Sequence, residues 1–130
     1  EEVLVAFSTR LAEHFRDEKD SYCKRQGLRA LDYIEEHYKD SDVTLNSVCS
    51  YLAMSTSYFS SIFKNYTGET FIEALTRKRV EKAKFLLENT SRKNYEIACD
   101  VGYSDPHYFS NIFKKATGMT PTEYARKVRK

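Results

Sequence analysis

One segment of the chain occurs twice. YFSSIFKNYTGET (Tyr58 to Thr70) and YFSNIFKKATGMT (Tyr108 to Thr120) are identical at nine of thirteen positions and lie 50 residues apart. Upstream, VCSYLAMS (Val48 to Ser55) and IACDVGYS (Ile97 to Ser104) share an apolar pattern at an offset of 49, so the second copy carries one extra residue in the joint that follows. Two copies are too few for a solenoid, and the chain must hold two related modules. A chain of 130 residues has room for one ordinary domain and a short extension, which excludes a barrel enzyme or any large catalytic scaffold.

Each copy predicts two helices around a tight turn. In the first, Thr44 is placed as an N-cap and Leu45, Val48 and Leu52 form one apolar stripe, with a break at Ala53 to Ser55. In the second, Asn94 is placed as the cap and Ile97, Ala98 and Val101 form the stripe. Gly102 then supplies the positive φ that a sharp helix-to-helix turn demands. Asp105 followed by Pro106 is a strong helix start, and Ser55 with Thr56 stands in the equivalent place. Gly68 and Gly118 are placed as C-terminal caps, and Thr70-x-x-Glu73 and Thr120-x-x-Glu123 have capping-box form.

Between the copies, Ile72, Leu75, Val80, Ala83, Leu86 and Leu87 predict one continuous linker helix over 71–88, roughly 27 Å long at about 1.5 Å per residue. Leu28, Leu31, Ile34 and Tyr38 mark a first helix that ends at Lys39-Asp40-Ser41-Asp42, and Tyr124 to Arg129 is a short last helix. The fold class is therefore all-α, with two helix-turn-helix units (44–67 and 94–117) joined by a long helix, about seven helices in 28–130. Four glycines and two prolines are too few to punctuate a sheet-rich domain of this size. Residues 1–27 carry Leu4, Phe7, Leu11 and Phe15 at helical spacing, then a mostly charged run ending at Gly27. They read as a helical connector from a longer protein, with dimerisation through it as the secondary reading.

The second helix of each copy has two unlike faces. Phe59, Ile62, Phe63 and Tyr66 face inward by spacing, as do Phe109, Ile112 and Phe113. Outside stand Ser57, Ser60, Ser61 and Lys64 in one copy and His107, Ser110, Asn111 and Lys114 in the other. Solvated helix faces are usually rich in Glu and Lys, whereas these are small, polar and uncharged until the last turn. A major groove about 12 Å wide admits one helix and offers donors and acceptors that Ser, Asn and His read, with cations at the rim for phosphate. Asn111 suits adenine in bidentate fashion, His107 suits guanine, and Ser60, Ser61 and Ser110 suit almost any base.

The net charge of +2 is an average. Residues 1–27 hold 5 basic and 6 acidic side chains, 28–130 hold 16 and 13, and the stretch from Pro106 onward holds 6 and 1. Clustered cations at Lys64, Arg77, Lys78, Lys114 and Lys115 would supply a salt-dependent affinity for phosphates. Three cysteines without a C-x-x-C pair suggest neither a disulfide framework nor a zinc site, and a reduced, cytoplasmic setting is the plain expectation. The longest apolar run, Val3 to Phe7, is far short of a membrane span, and no cofactor or metal is expected. Cys99 and His107 are the one nucleophile-base pair close in sequence, yet Cys99 is placed in the packed helix and His107 outside, so an enzyme is not expected.

The stretch from Leu28 to Lys127 resembles the DNA-binding domain of AraC/XylS-type bacterial transcription regulators. The resemblance rests on IACDVGYSDPHYFSNIFKKATGMTPTEY (Ile97 to Tyr124) and RKRVEKAKFLL (Arg77 to Leu87), and it covers about four-fifths of the chain. It implies two recognition helices in successive major-groove segments of duplex DNA, with Ser57, Ser60, Ser61, His107, Ser110 and Asn111 as base readers. It also implies a missing upstream receiver or sensor domain, a response regulator foremost, and admits RNA polymerase as a partner. Ala53 stands where the second copy has Gly102 and Cys49 where a small Ala is common, so the first turn is expected to be less sharp. The rival reading is a helical protein-interaction module that does not use DNA.

Overall fold

The computed structural model describes residues 21–129, and among them the only regular secondary structure is helical. Helix α1 spans residues 21–37. It is followed by α2 (Leu45–Leu52), α3 (Thr56–Thr67), α4 (Phe71–Asn89), α5 (Asn94–Asp100), α6 (Pro106–Thr117) and α7 (Pro121–Val128). Of the connector expected over residues 1–27, residues 1–20 lie outside the described residues, and the rest belongs to α1.

The helix starts follow their capping chemistry. The Thr44 hydroxyl accepts from the Ser47 N–H while the Ser47 hydroxyl accepts from the Thr44 N–H, a complete reciprocal cap at α2. Thr70 and Thr120 accept from the Glu73 and Glu123 amides, and Asp105 accepts from the His107 amide with Pro106 at the first helical position. Helix α5 departs from expectation: its cap is Lys93, not Asn94. The Lys93 side chain has no acceptor, so only the Glu96 carboxylate contributes, accepting from the Lys93 amide. Asn94 is the first helical residue, and its amide reaches across to donate to the Thr122 hydroxyl at 2.7 Å.

Two cores share α4. The first gathers Ala30, Ile34, Tyr38, Val48, Leu52, Phe59 and Phe63 around Phe71, Ala74 and Leu75 at the N-terminal half of α4. The second gathers Ile97, Ala98, Val101, Phe109 and Phe113 around Val80, Ala83 and Leu87 at its C-terminal half. Each has an aromatic heart: Phe63 meets Phe71 edge-on at 5.9 Å, and Phe113 meets Tyr124 edge-on at 5.5 Å. Helix α4 is thus a wall of both modules rather than a bare spacer.

Four inward or boundary assignments change. The expected break at Gly27 is absent, because α1 runs straight through it. A Cβ there would lie 2.4 Å from the Tyr66 ring, so this glycine permits close approach of α1 and α3 instead of ending a linker. Tyr66 accordingly covers Gly27 from a partly exposed position instead of entering the core. Ile72, in the first turn of α4, is half exposed because no later helix covers it. Cys99 is exposed on α5 rather than packed.

Candidate nucleic-acid interface

The two inter-helix turns that aim α3 and α6 are the same turn. In the first, the Ala53 amide donates to the Ser50 carbonyl and the Met54 amide to the Cys49 carbonyl. In the second, the Gly102 amide donates to Cys99 and the Tyr103 amide to Ala98. This paired pattern closes a helix through a left-handed residue. Ala53 takes that conformation at φ 56 and Gly102 at φ 103, so the first turn is as sharp as the second in spite of its alanine.

Beyond each turn the helix buries one face and presents the other. Phe59, Ile62 and Phe63 are buried on α3, and Phe109 and Phe113 on α6. Ser57, Ser60, Ser61 and Lys64 are all exposed; so are His107, Asn111, Lys114 and Lys115, while Ser110 is half-buried. Among the described residues, none of these side chains is engaged in an intramolecular hydrogen bond or ion pair. Their donors and acceptors face solvent and are available to an external partner. Neither helix carries an acidic side chain in its first turn, and both carry lysine in the last. The terminal lysines favour an anion at the C-terminal end of each helix; the N-terminal end of α3 is capped by neutral Ser55, that of α6 by the Asp105 carboxylate.

The linker cations divide. Arg77 is exposed, with Nε and Nη2 both donating to Glu69 Oε1 at 3.1 and 2.7 Å. That hydrogen bond, with the neighbouring charges of Glu69 and Glu81, outweighs burial and raises the guanidinium pKa further. Lys78 stands 100° further around α4. It is ion-paired with Glu35 of α1, lies 5.9 Å from the centre of the Tyr38 ring, and leaves only 19% of its side chain exposed. The hydrogen bond from Lys78 lowers the pKa of Glu35. Lys78 ties α1 to α4, whereas Lys64, Lys114 and Lys115 are exposed.

Other residues at this surface were not singled out by patterning. Tyr58 and Tyr108, identical in the two copies, are 47% and 55% exposed on the flank of their helices. Tyr108 joins Ile72, Val80, Ile112, Lys84 and Lys115 around a groove of about 630 Å³ between α4 and α6. Their recurrence at the same offset as the serines and lysines was the available signal. The i, i+3, i+4 rule alone files aromatic residues as core.

Two recognition-type helices on a shared α4, each with an exposed polar face and a cationic end, define a tandem helix-turn-helix protein. Residues 48–127 match the family model described as "Helix-turn-helix domain", and the chain belongs to that family, in its AraC-type branch. It is 34% identical over 95 residues to the arabinose operon regulatory protein of Escherichia coli K12, covering 73% of this chain and 32% of that protein. Among solved structures, it is 45% identical to the C-terminal domain of AraT, a response regulator from Geobacillus stearothermophilus. That match has a TM-score of 0.77 and covers 78% of this chain and 84% of the other. It is also 45% identical to the C-terminal domain of the two-component response regulator yesN from Fusobacterium nucleatum. There the TM-score is 0.73, and the match covers 74% of this chain and 93% of the other. These relatives are regulators, not enzymes. The chain spans about a third of the length of the first full-length relatives it matches.

Proposed function

We propose that this chain binds duplex DNA through α3 and α6, laid in successive major-groove segments, and serves as the reading end of a longer bacterial transcription regulator. The observation that carries the reading is the repeated outer face: eight exposed side chains on two equivalent helices with no intramolecular partner among the described residues. Asn111 and His107 read base edges, with Ser57, Ser60, Ser61 and Ser110 as adaptable contacts, while Lys64, Lys114, Lys115 and Arg77 meet phosphates. Likeness to C-terminal domains of two response regulators supports an upstream receiver domain as the input. No helix among the described residues is long and apolar enough to cross a membrane, which accords with a cytoplasmic setting. RNA polymerase and a second copy, paired through residues 1–27, complete the set of partners in this reading. The reading domain takes in α1 from residue 21, which packs on α3 at Gly27, and the chain before it serves as the connector.

Selection of bound duplexes from a random pool, followed by a salt titration on the winning sequence, tests it. Four phosphate contacts give a slope of log affinity against log salt of about −4. A salt-independent interaction, or no enrichment at low salt, would return the chain to the class of protein-interaction modules.

A further inference from the structure

Arg79 is one of two buried polar side chains among the described residues, 7% exposed where the two cores meet. Its Nε donates to the Tyr38 carbonyl and its Nη2 to the Asp40 carbonyl, both at 2.9 Å. Its guanidinium carbon lies 5.0 Å from the centre of the Tyr103 ring. Gly102 closes the fourth side: a Cβ there would stand 2.8 Å from Arg79 Nε and 2.3 Å from the Tyr38 oxygen. Three segments therefore meet at one cation: the end of α1 in the first module, α4 itself, and the turn that launches α6 in the second.

The arrangement suits arginine and no other residue. The planar fork reaches two carbonyls at once, its face stacks on an aromatic ring, and it stays charged when buried. The carbonyls it donates to lie just beyond the C-terminal end of α1, where the helix dipole is negative. No carboxylate is paired with it among the described ion pairs, so its charge is met by backbone and ring.

We propose that Arg79 is a positioning residue that sets the distance and phase between the two DNA segments the protein reads. This rests on the reading of α3 and α6 as DNA-binding helices. From Tyr38 and Asp40 the chain passes through Val43 into α2 and α3; from Gly102 and Tyr103 it passes within a few residues into α6. Holding both at one guanidinium fixes one recognition helix relative to the other. Tandem modules held in this way gain avidity of about 10²–10⁴ over either alone when the sites match their geometry, and lose it when they do not. A looser joint lowers that gain at the matching spacing and spreads it over neighbouring spacings. A residue that merely filled the core would change stability and leave the spacing preference alone.

The test uses the whole 130-residue chain carrying Arg79→Lys or Arg79→Met, with Tyr103→Leu as a milder variant that keeps both carbonyl bonds and removes the ring. Folding is checked by the amide NMR spectrum. Affinity is measured on the selected duplex, on the same duplex with one base pair added or removed between its segments, and with either segment scrambled. The wild type should lose about tenfold or more with each spacing change, and the folded variants about threefold or less, with binding to single segments unchanged. Residual dipolar couplings on the protein alone should fit one alignment frame for both modules in the wild type and two frames in the variants. Folded variants that keep the wild-type spacing preference and a single frame would overturn the proposal. Failure of the wild type to bind any duplex would instead overturn the DNA reading, while the couplings would still decide whether Arg79 locks the modules.

Discussion

The two helix-turn-helix modules use one turn geometry and meet its cost differently. At the second turn Gly102 sits at φ 103 with Tyr38 and Arg79 packed where a Cβ would be. At the first, Ala53 holds φ 56 at an exposed site, accepting the left-handed penalty of about 1–2 kcal/mol in exchange for a smaller entropy loss on folding. Glycine is therefore obligatory where the turn is also an inter-module contact, and dispensable where it is only a turn. The faces beside α3 and α6 differ in the same spirit. Tyr66 covers Gly27 in the first module, whereas its counterpart 50 residues later is Ala116, which lines the open groove against α4.

The two turns differ most at Gly102, where the turn is also an inter-module contact. Gly102→Ala should cost about 3 kcal/mol or more in urea unfolding, combining a strained φ with a collision against backbone. A loss below about 1 kcal/mol would show that the two turns are equivalent after all. On DNA, Asn111→Ala should cost about 1–3 kcal/mol and relax preference at one base pair, because a bidentate amide is lost. Ser61→Ala, its counterpart in the first module, should cost about 1 kcal/mol or less; equal and sequence-independent losses would remove both from the base readers. Gly27→Ala should destabilise by about 1–2 kcal/mol, since the Tyr66 ring must move to admit the methyl group.

Two smaller effects sharpen the contrast. Ala53→Gly should stabilise by about 0.5 kcal/mol, the relief of left-handed strain slightly exceeding the added chain entropy, read as a small rise in denaturation midpoint. In the second module, burial and then the hydrogen bond it donates to Glu88 push the Tyr124 hydroxyl pKa up to about 12 from its ordinary 10. The folded chain keeps a proton that the unfolded chain releases, so this contribution is whole below pH 10 and is lost as pH rises towards about 12. Comparing the pH dependence of unfolding for wild type and Tyr124→Phe isolates it; identical curves would refute the shift.

Much of this was legible in residue order because the signals were local. Thr44, Thr70, Asp105-Pro106 and Thr120 are short-range capping signals, and they mark helix starts in the structure. Phe59, Phe63, Phe109 and Phe113 fall on buried faces because a helix of 3.6 residues per turn leaves little choice. What patterning misplaced depended on neighbours distant in sequence. Gly27 resembled a linker residue until Tyr66, 39 positions away, was packed on it. Ile72 belonged to an apolar stripe whose far end no helix covers, and Cys99 to a short helix too brief for its outer face to be assigned. Lys78 and Arg77 are adjacent in sequence, yet the helix turns one to Glu35 and the other to Glu69.

Residue order by itself determined the helices, their duplication, and the polar faces repeated at an offset of 50, because hydrophobic period and capping act over a few residues. Only the tertiary structure decided that α4 is shared by two cores, that Lys78 ties α1 to α4, and that Arg79 joins the modules. Those outcomes depend on which carbonyl, ring or carboxylate arrives within about 3–6 Å of a cation, a matter settled by packing between segments up to 43 residues apart.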